Sequence, residues 1–519
     1  MKSIAIKNLV VRFLYSTILL LLPIATALFI IHYVAHSGLK LYFPRSSDEI
    51  VFWIDAKSFF NVGFHGGYSG YEELLGFAPL LGIGTYGAHG IVPPMLTSLV
   101  AHFLDFTPFI AINLSNWIYL VLATLFFVLT WQGRNESILF TALFLCTSFT
   151  FIEFYTVDWQ ETLHVSIALA LVSVFSNISS GNNSRRKRFV YFMTGVIILT
   201  IASSLRYSWG VLFIPLFIFY NFKTKKDLIK SIVLGGSLMA AAYVMYGFVA
   251  APYPYGEYGT IYIKKMLHGE LPIWKYLDYI TLNIKSIFLL SRANPAPQLD
   301  VLVALAVILC LLILPLTCRK TIKNIGVDES LPFKLFIFHI FNVVFLFVLC
   351  ILWYQPSIRL IAPNYILSVL LMVRFVPSRK YFLIILVNLI LLPLNLEGLR
   401  DYLTFTYPTP QEYSFLVDKF QSTGLGLGKY MTYQKDADPW CNTVLVQEWS
   451  SELLYLPPGI ATHYYREIGK KTLPFKARYI YLGLEQLSSY EKISNSTHLR
   501  ELWEGPLGTL YLNADSNCN

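Results

Sequence analysis

The chain has 519 residues, of which 55% are hydrophobic and 16% aromatic while only 14% are charged, and its mean hydropathy is +0.55. That is far more apolar surface than a soluble fold of this length needs, so the sequence reads as an α-helical polytopic membrane protein. The net charge of +9 does not point to nucleic acid, because many basic residues sit in short loops between apolar runs, where they set orientation.

The first apolar run covers residues 10–34, with Lys2 and Lys7 before it and Arg12 near its start. Its apolar core is longer than that of a cleaved signal peptide, which predicts a retained helix with a cytoplasmic N-terminus. Further runs follow at 109–131, 138–154, 163–175, 189–202, 209–220, 231–249, 299–316, 335–353, 360–373 and 381–394. That makes about eleven spans, several of them short for a bilayer that usually needs about 20 residues. With Lys2 inside, Arg134, the cluster Arg185-Arg186-Lys187-Arg188, Lys223-Lys225-Lys226, Arg319-Lys320-Lys323 and Arg379-Lys380 all fall on the cytoplasmic side, as the positive-inside rule requires.

The opposite face receives a first loop over 35–108, the loop around Asp158 and Glu161, the turn holding Arg206, a loop over 251–298, the turn holding Arg359, and a tail over 397–519. The first loop gathers Asp48, Glu49, Asp55, Glu72, Glu73, His65, His89 and many glycines in a chain otherwise poor in charge. A polar cluster of this kind at a membrane surface is a functional candidate. Near-helical spacing of Ile50, Val51, Trp53, Ile54, Phe59 and Phe60 predicts an interfacial helix over 48–61, and 90–104, with Pro93-Pro94 near its start, predicts a second.

From Asp401 onward the composition changes. Strand-length apolar stretches at 443–446, 477–482 and 509–512, separated by helix-compatible segments such as 450–456, predict a small C-terminal α/β domain of about 120 residues on the outer membrane face. The expected division is a transmembrane part over 1–396 and an extracytoplasmic domain over 397–519. Of six cysteines, Cys146, Cys310, Cys318 and Cys350 lie in or beside apolar runs, and no zinc spacing is present. Cys441 and Cys518 share the polar tail and are the pair suited to a disulfide.

An Asp-Glu pair just after the first transmembrane helix, in a long outer loop with amphipathic helices, followed by many spans and a soluble tail, resembles the GT-C glycosyltransferases. These are integral membrane enzymes using lipid-phosphate-linked sugars, and they include protein mannosyltransferases and the aminoarabinose transferase of lipid A. The run Ile358-Arg359-Leu360-Ile361-Ala362-Pro363 resembles the R-Y-x-x-P signature of part of that superfamily, with Leu360 where tyrosine is usual. The resemblance implies inverting transfer from a polyprenyl-phosphate sugar to a lipid, glycan or protein acceptor. It also implies membrane lipids as surroundings, no nucleic-acid partner, and a site on the periplasmic or extracellular face of a bacterial inner membrane.

Such chemistry needs a carboxylate base for the attacking hydroxyl and fixed cations for the departing phosphate. Asp48 is the expected base, and Glu49 is expected to orient it, bind the acceptor or share a cation with it. Arg359 and Arg206 are the expected phosphate cations, with Lys264, Lys265 and Lys57 behind them. His65, His89, Asp158 and Glu161 are candidates for sugar or acceptor contact. Divalent cations prefer oxygen ligands, but the superfamily has metal-dependent and metal-independent members, and no metal is assigned.

Each residue also has a plainer reading. Ser47, Asp48 and Glu49 suit the start of a helix, Arg206 and Arg359 suit interfacial snorkelling, and Lys264-Lys265 suits a solvated loop. His339, inside a span, reads as a packed and hydrogen-bonded histidine. A lipid or glycan transporter is the alternative function, but its ionisable residues would sit at mid-membrane, whereas here the acids crowd one face. A scaffold whose tail binds a partner leaves the acid-rich loop without a purpose.

Overall fold

The structure is a computed structural model that describes residues 2–65, 70–71, 90–104, 111–131, 133–157, 160–181, 183–249, 265–288, 296–317, 330–353, 358–375, 381–464, 476–485 and 498–518. It divides into two compact units, one of Met1–Val34, Asn116–Val244 and Tyr255–Leu403, the other of Ala35–Ser115, Met245–Pro254 and Thr404–Asn519.

Helices α1 (Lys2–Tyr33), α2 (Ser47–Val62), α3 (Val92–Leu104), α4 (Ala111–Thr130), α5 (Asn135–Thr147), α6 (Phe149–Thr156), α7 (Glu161–Ile178), α8 (Arg185–Leu205), α9 (Phe213–Asn221) and α10 (Lys225–Val249) are followed by α11 (Ile273–Phe288), α12 (Ala296–Thr317), α13 (Leu331–His339), α14 (Phe345–Trp353), α15 (Ile358–Phe375), α16 (Phe382–Thr406) and α17 (Pro410–Gly428). Where the apolar runs predicted from sequence are described they are largely helical, since a helix satisfies its own backbone in hydrocarbon. Among the described residues six helices are long and apolar enough to cross a membrane, namely Leu9–Tyr33, Ala111–Thr130, Glu161–Ile178, Arg185–Leu205, Lys225–Tyr246 and Leu331–Val348, and five shorter apolar helices accompany them. One predicted run, 138–154, breaks at Ser148 into α5 and α6. The chain is a helical polytopic membrane protein with a small C-terminal α/β region.

In the first unit α7 is the central element. Every residue of it except Ala170 is buried, and a helix apolar on all sides belongs inside a bundle. It packs against α8 and α15, and its Phe175 stands edge-on to Phe219 and Phe338.

Basic side chains close the helix ends on one side of this unit. Arg12 donates to the carbonyls of Val128 and Trp131 at 2.9 and 2.7 Å, Arg188 to those of Ile178 and Tyr220, and Lys334 to that of Phe219. These carbonyls belong to the C-terminal ends of α4, α7 and α9, where the helix dipole is negative and four carbonyls lack helical partners. Asn177 ties the end of α7 to that of α4 through Thr130 O, and Arg374, late in α15, lies over the Trp131 ring. All these ends adjoin the loops that the charge pattern groups on one face.

Deeper in the unit, a π-turn over Ile340–Val344 follows α13. There Asn342 donates to Asn364 O and Ser368 Oγ, Asn364 donates back to Asn342 Oδ1, and His339 Nδ1 meets Ser368 Oγ at 2.9 Å. His339 is thus the packed, hydrogen-bonded histidine that its position suggested.

The second unit is built on a six-stranded sheet. Its strands are β1 (Gly70–Tyr71), β2 (Thr443–Val446), β3 (Ala461–Tyr464), β4 (Tyr479–Gly483), β5 (Leu499–Gly505) and β6 (Gly508–Asn513), in the order β1-β3-β2-β4-β6-β5. The first three pairings across that order are parallel and the last two antiparallel. Central strands β2 and β4 are buried almost throughout, as expected of strands covered on both faces, and Leu445, Ala477, Ile480, Leu482 and Tyr511 form the core. Cys441 and Cys518 form a disulfide that joins the lead-in to β2 with the chain beyond β6. The edge strand β1 comes from the first loop, so loop and tail share one sheet.

Candidate functional site

The acid-bearing helix α2 starts with a closed capping box. Ser46 is the N-cap, its hydroxyl accepts from the Glu49 N–H, and Glu49 Oε2 accepts from the main-chain N–H groups of Ser46 and Arg45 at 3.0 and 3.1 Å. The sequence Ser46-x-x-Glu49 is the pattern that makes such a box. The cap therefore lies earlier than Ser47 or Asp48, where the sequence reading placed it, because only Ser46 stands three residues before a glutamate. Glu49 is fully buried, whereas Asp48, one position before it, is half-buried. The two acids thus have separate situations: one holds the helix start, and the other sits in the first turn.

In the first unit Glu161 and Arg206 come together. Glu161 opens α7 and is fully buried; Arg206 follows the last residue of α8, and its Nη2 lies 3.1 Å from Glu161 Oε1 with 19% of the side chain exposed. Three residues along α7, on the same face, the buried His164 accepts at Nδ1 from the Trp209 indole N–H at 3.0 Å. An indole only donates, so a neutral His164 carries its proton on Nε2. A polar pair and a histidine are therefore fixed at the ends of α7 and α8 away from the basic helix ends.

Arg359 lies at the start of α15, with its side chain outside the described residues. Lys264, Asp158 and His89 fall outside them as well, as does the side chain of His65, which ends a short 3₁₀ turn. Lys265 is exposed, and its carbonyl closes a turn with the N–H groups of Glu270 and Leu271. Lys57 donates to the carbonyls of Leu454 and Leu456, both at 2.6 Å, which takes it from the cations expected to meet a phosphate. Among the described residues no group of three or more His, Cys, Asp or Glu is arranged to hold a metal ion. Sequence reasoning missed the His164–Trp209 bond and the Lys57 anchor, which join residues 45 and about 400 positions apart.

No protein-family model matches the chain, and no curated protein matches its sequence. Solved structures do resemble it. ArnT from Cupriavidus metallidurans, bound to undecaprenyl phosphate, is similar over 96% of this chain and 98% of its own, at 11% identity and a TM-score of 0.49. An oligosaccharyltransferase from Archaeoglobus fulgidus, tethered with an acceptor peptide, is similar over 97% of this chain and 74% of its own, at 12% identity and a TM-score of 0.49. The oligosaccharyltransferase AglB from Archaeoglobus fulgidus, in complex with an inhibitory peptide and a dolichol-phosphate, matches over 96% and 74%, at 12% identity and a TM-score of 0.43.

Proposed function

We propose that this protein is an integral-membrane glycosyltransferase. It moves a sugar, with inversion, from a polyprenyl-phosphate donor to a lipid, glycan or protein acceptor on the outer face of the membrane. The observation that carries this reading is the division of labour at the start of α2, where Glu49 is committed to the capping box and Asp48 sits half-buried in the first turn. Asp48 takes the proton of the acceptor hydroxyl, the hydroxyl oxygen bonds to the anomeric carbon, and the bond from that carbon to the phosphate oxygen breaks. The polyprenyl phosphate leaves with the electron pair. A base of this kind typically contributes about 10²–10⁴-fold to rate.

Arg206, paired with Glu161, and Arg359 supply the charge that meets the developing phosphate, and Lys264 and Lys265 serve as outlying cations. His65, His89 and Asp158 contact sugar or acceptor, while Glu161, expected beside them, is the partner of Arg206. No step is routed through a metal. The Cys441–Cys518 disulfide fits an oxidising compartment, in keeping with a tail on the periplasmic or extracellular side of a bacterial inner membrane.

The test is purified protein in lipid vesicles with a panel of labelled polyprenyl-phosphate sugars, measuring donor binding and transfer separately. Binding with transfer to an acceptor extract supports the proposal. Movement of labelled lipid across the bilayer without any transfer would replace it with a transporter.

A further inference from the structure

Within the second unit, the helix that carries Asp48 is gripped by the tail at both ends. Before its start, Phe43 N–H donates to Thr406 O, Ser451 Oγ to Pro44 O, and Arg45 donates to Phe405 O while its guanidinium covers the Phe405 ring. Near its end, Lys57 Nζ reaches the carbonyls of Leu454 and Leu456, and Ser58 Oγ accepts from Gly459 N–H at 3.1 Å. Gly459 has φ +90°, a conformation that side chains with a Cβ rarely adopt, and that brings its N–H to the helix.

Lys57 differs from the other grips. The carbonyls it meets lie at the C-terminal end of the 3₁₀ segment Ser451–Tyr455, where carbonyls lack helical partners. Its stem keeps some exposure while the ammonium is enclosed. Burial lowers the ammonium to about 8, so it remains mostly charged at neutral pH and makes charge-assisted bonds. Nine residues separate it from Asp48, and nine steps of about 100° place the two on opposite sides of α2. A fixed point on one side of a helix determines where the other side faces.

We propose that Lys57 is a positioning residue for Asp48: by holding α2 to the carbonyls of Leu454 and Leu456, it fixes the rotation of the helix and hence the direction of the Asp48 carboxylate. The tail is then part of the catalytic apparatus through this bond, beyond any contact it makes with substrate. The catalytic half of this inference rests on Asp48 as the base. At a side-chain radius of about 5–6 Å, a rotation of about 20° moves a carboxylate by about 2 Å, and misplacement of about 1 Å can cost about 10²-fold in rate.

The experiment compares the full-length protein with Lys57→Met and Lys57→Arg in lipid vesicles, by hydrogen exchange over residues 47–62 and by kcat and donor KM. The expected result for Lys57→Met is faster exchange in the second half of α2, kcat lowered by about 10–100-fold and donor KM changed less than about twofold, with the Cys441–Cys518 disulfide intact. Lys57→Arg, which keeps charge and donors, recovers both exchange protection and part of kcat. If Lys57→Met does not fold, Lys57→Arg alone decides: full kcat loss with native exchange protection contradicts the proposal, and partial recovery of both supports it. Unchanged kcat in Lys57→Met, or losses shared equally by kcat and donor binding, would overturn it. If the unmodified protein transfers no sugar, the functional reading fails, and native exchange in Lys57→Met would still refute the anchor by itself.

Discussion

Arg206 meets Glu161 at 3.1 Å, joining the residue just past α8 to the first residue of α7, and the carboxylate in this pair is fully buried. Removing one partner of a buried ion pair leaves the other charge uncompensated, at a cost of about 3–5 kcal/mol, and the partial exposure of Arg206 puts this pair near the lower figure. Glu161→Ala is expected to lower the thermal midpoint more than the double variant Glu161→Leu with Arg206→Met, in which no charge is stranded. Thermal unfolding in detergent, run on both variants, checks this. Equal midpoints would mean that Arg206, once stranded, is solvated at no cost and that the pair adds nothing to stability.

The capping box predicts a contrast at Glu49. Glutamine can make the same reciprocal bond to the N-cap, so Glu49→Gln should keep transfer within about threefold, because its role is to hold the helix start. Ser46→Ala should cost about 1 kcal/mol of stability, the usual value for a lost N-cap. A loss of about 100-fold or more in Glu49→Gln would place Glu49 among the proton-transferring groups instead.

Much of the fold was legible because its signals are local. The apolar runs became helices, two of them interrupted, at Ser148 and over Ile340–Val344, and 443–446, 477–482 and 509–512 became β2, β4 and β6, since length and burial leave little choice. The helix predicted over 48–61 appeared as Ser47–Val62, but residues 49–56 are buried in succession, whereas a helix lying in the interface would show one apolar face. Strands β3 and β5 were not foreseen: Thr462 and His463 interrupt the apolar pattern of the first, and Arg500, Glu501 and Glu504 give the second the polarity of an exposed edge. The site was less readable. Ser46-x-x-Glu49 could have been recognised as a capping box, but no local pattern tells Lys57 that its partners lie near residue 455, or Trp209 that it faces His164.

Burial of Lys57 gives a pH dependence with a definite sign. Its ammonium is lowered from the ordinary 10.5 to about 8 in the folded protein. Between these values the unfolded chain holds a proton that the folded chain has released, so stability should rise with pH across that window. The full effect is about 3.5 kcal/mol at about 1.4 kcal/mol per pH unit. Unfolding measured from pH 7.5 to 10.5 should show the rise in the native protein and lose it in Lys57→Met. A parallel course in both would show that the ammonium is solvated.

The disulfide closes a loop between positions 77 residues apart, for which chain entropy predicts about 4.5 kcal/mol of stabilisation. Cys441→Ser with Cys518→Ser should therefore make the tail markedly more sensitive to protease while leaving the helices of the first unit unaffected. Limited proteolysis with and without reductant checks this, and an unchanged cleavage pattern would show that the sheet does not depend on the bond.

In the proposed mechanism Asp48 accepts the acceptor's proton, and Asp48→Asn removes that capacity. Asparagine matches aspartate closely in shape and is well tolerated at helix starts, but it cannot take up a proton at neutral pH. In lipid vesicles with a labelled polyprenyl-phosphate sugar, the variant should fold, bind donor with native affinity and lose transfer by about 10²–10⁴-fold. Transfer at the native rate with Asp48→Asn would rule out Asp48 as the base.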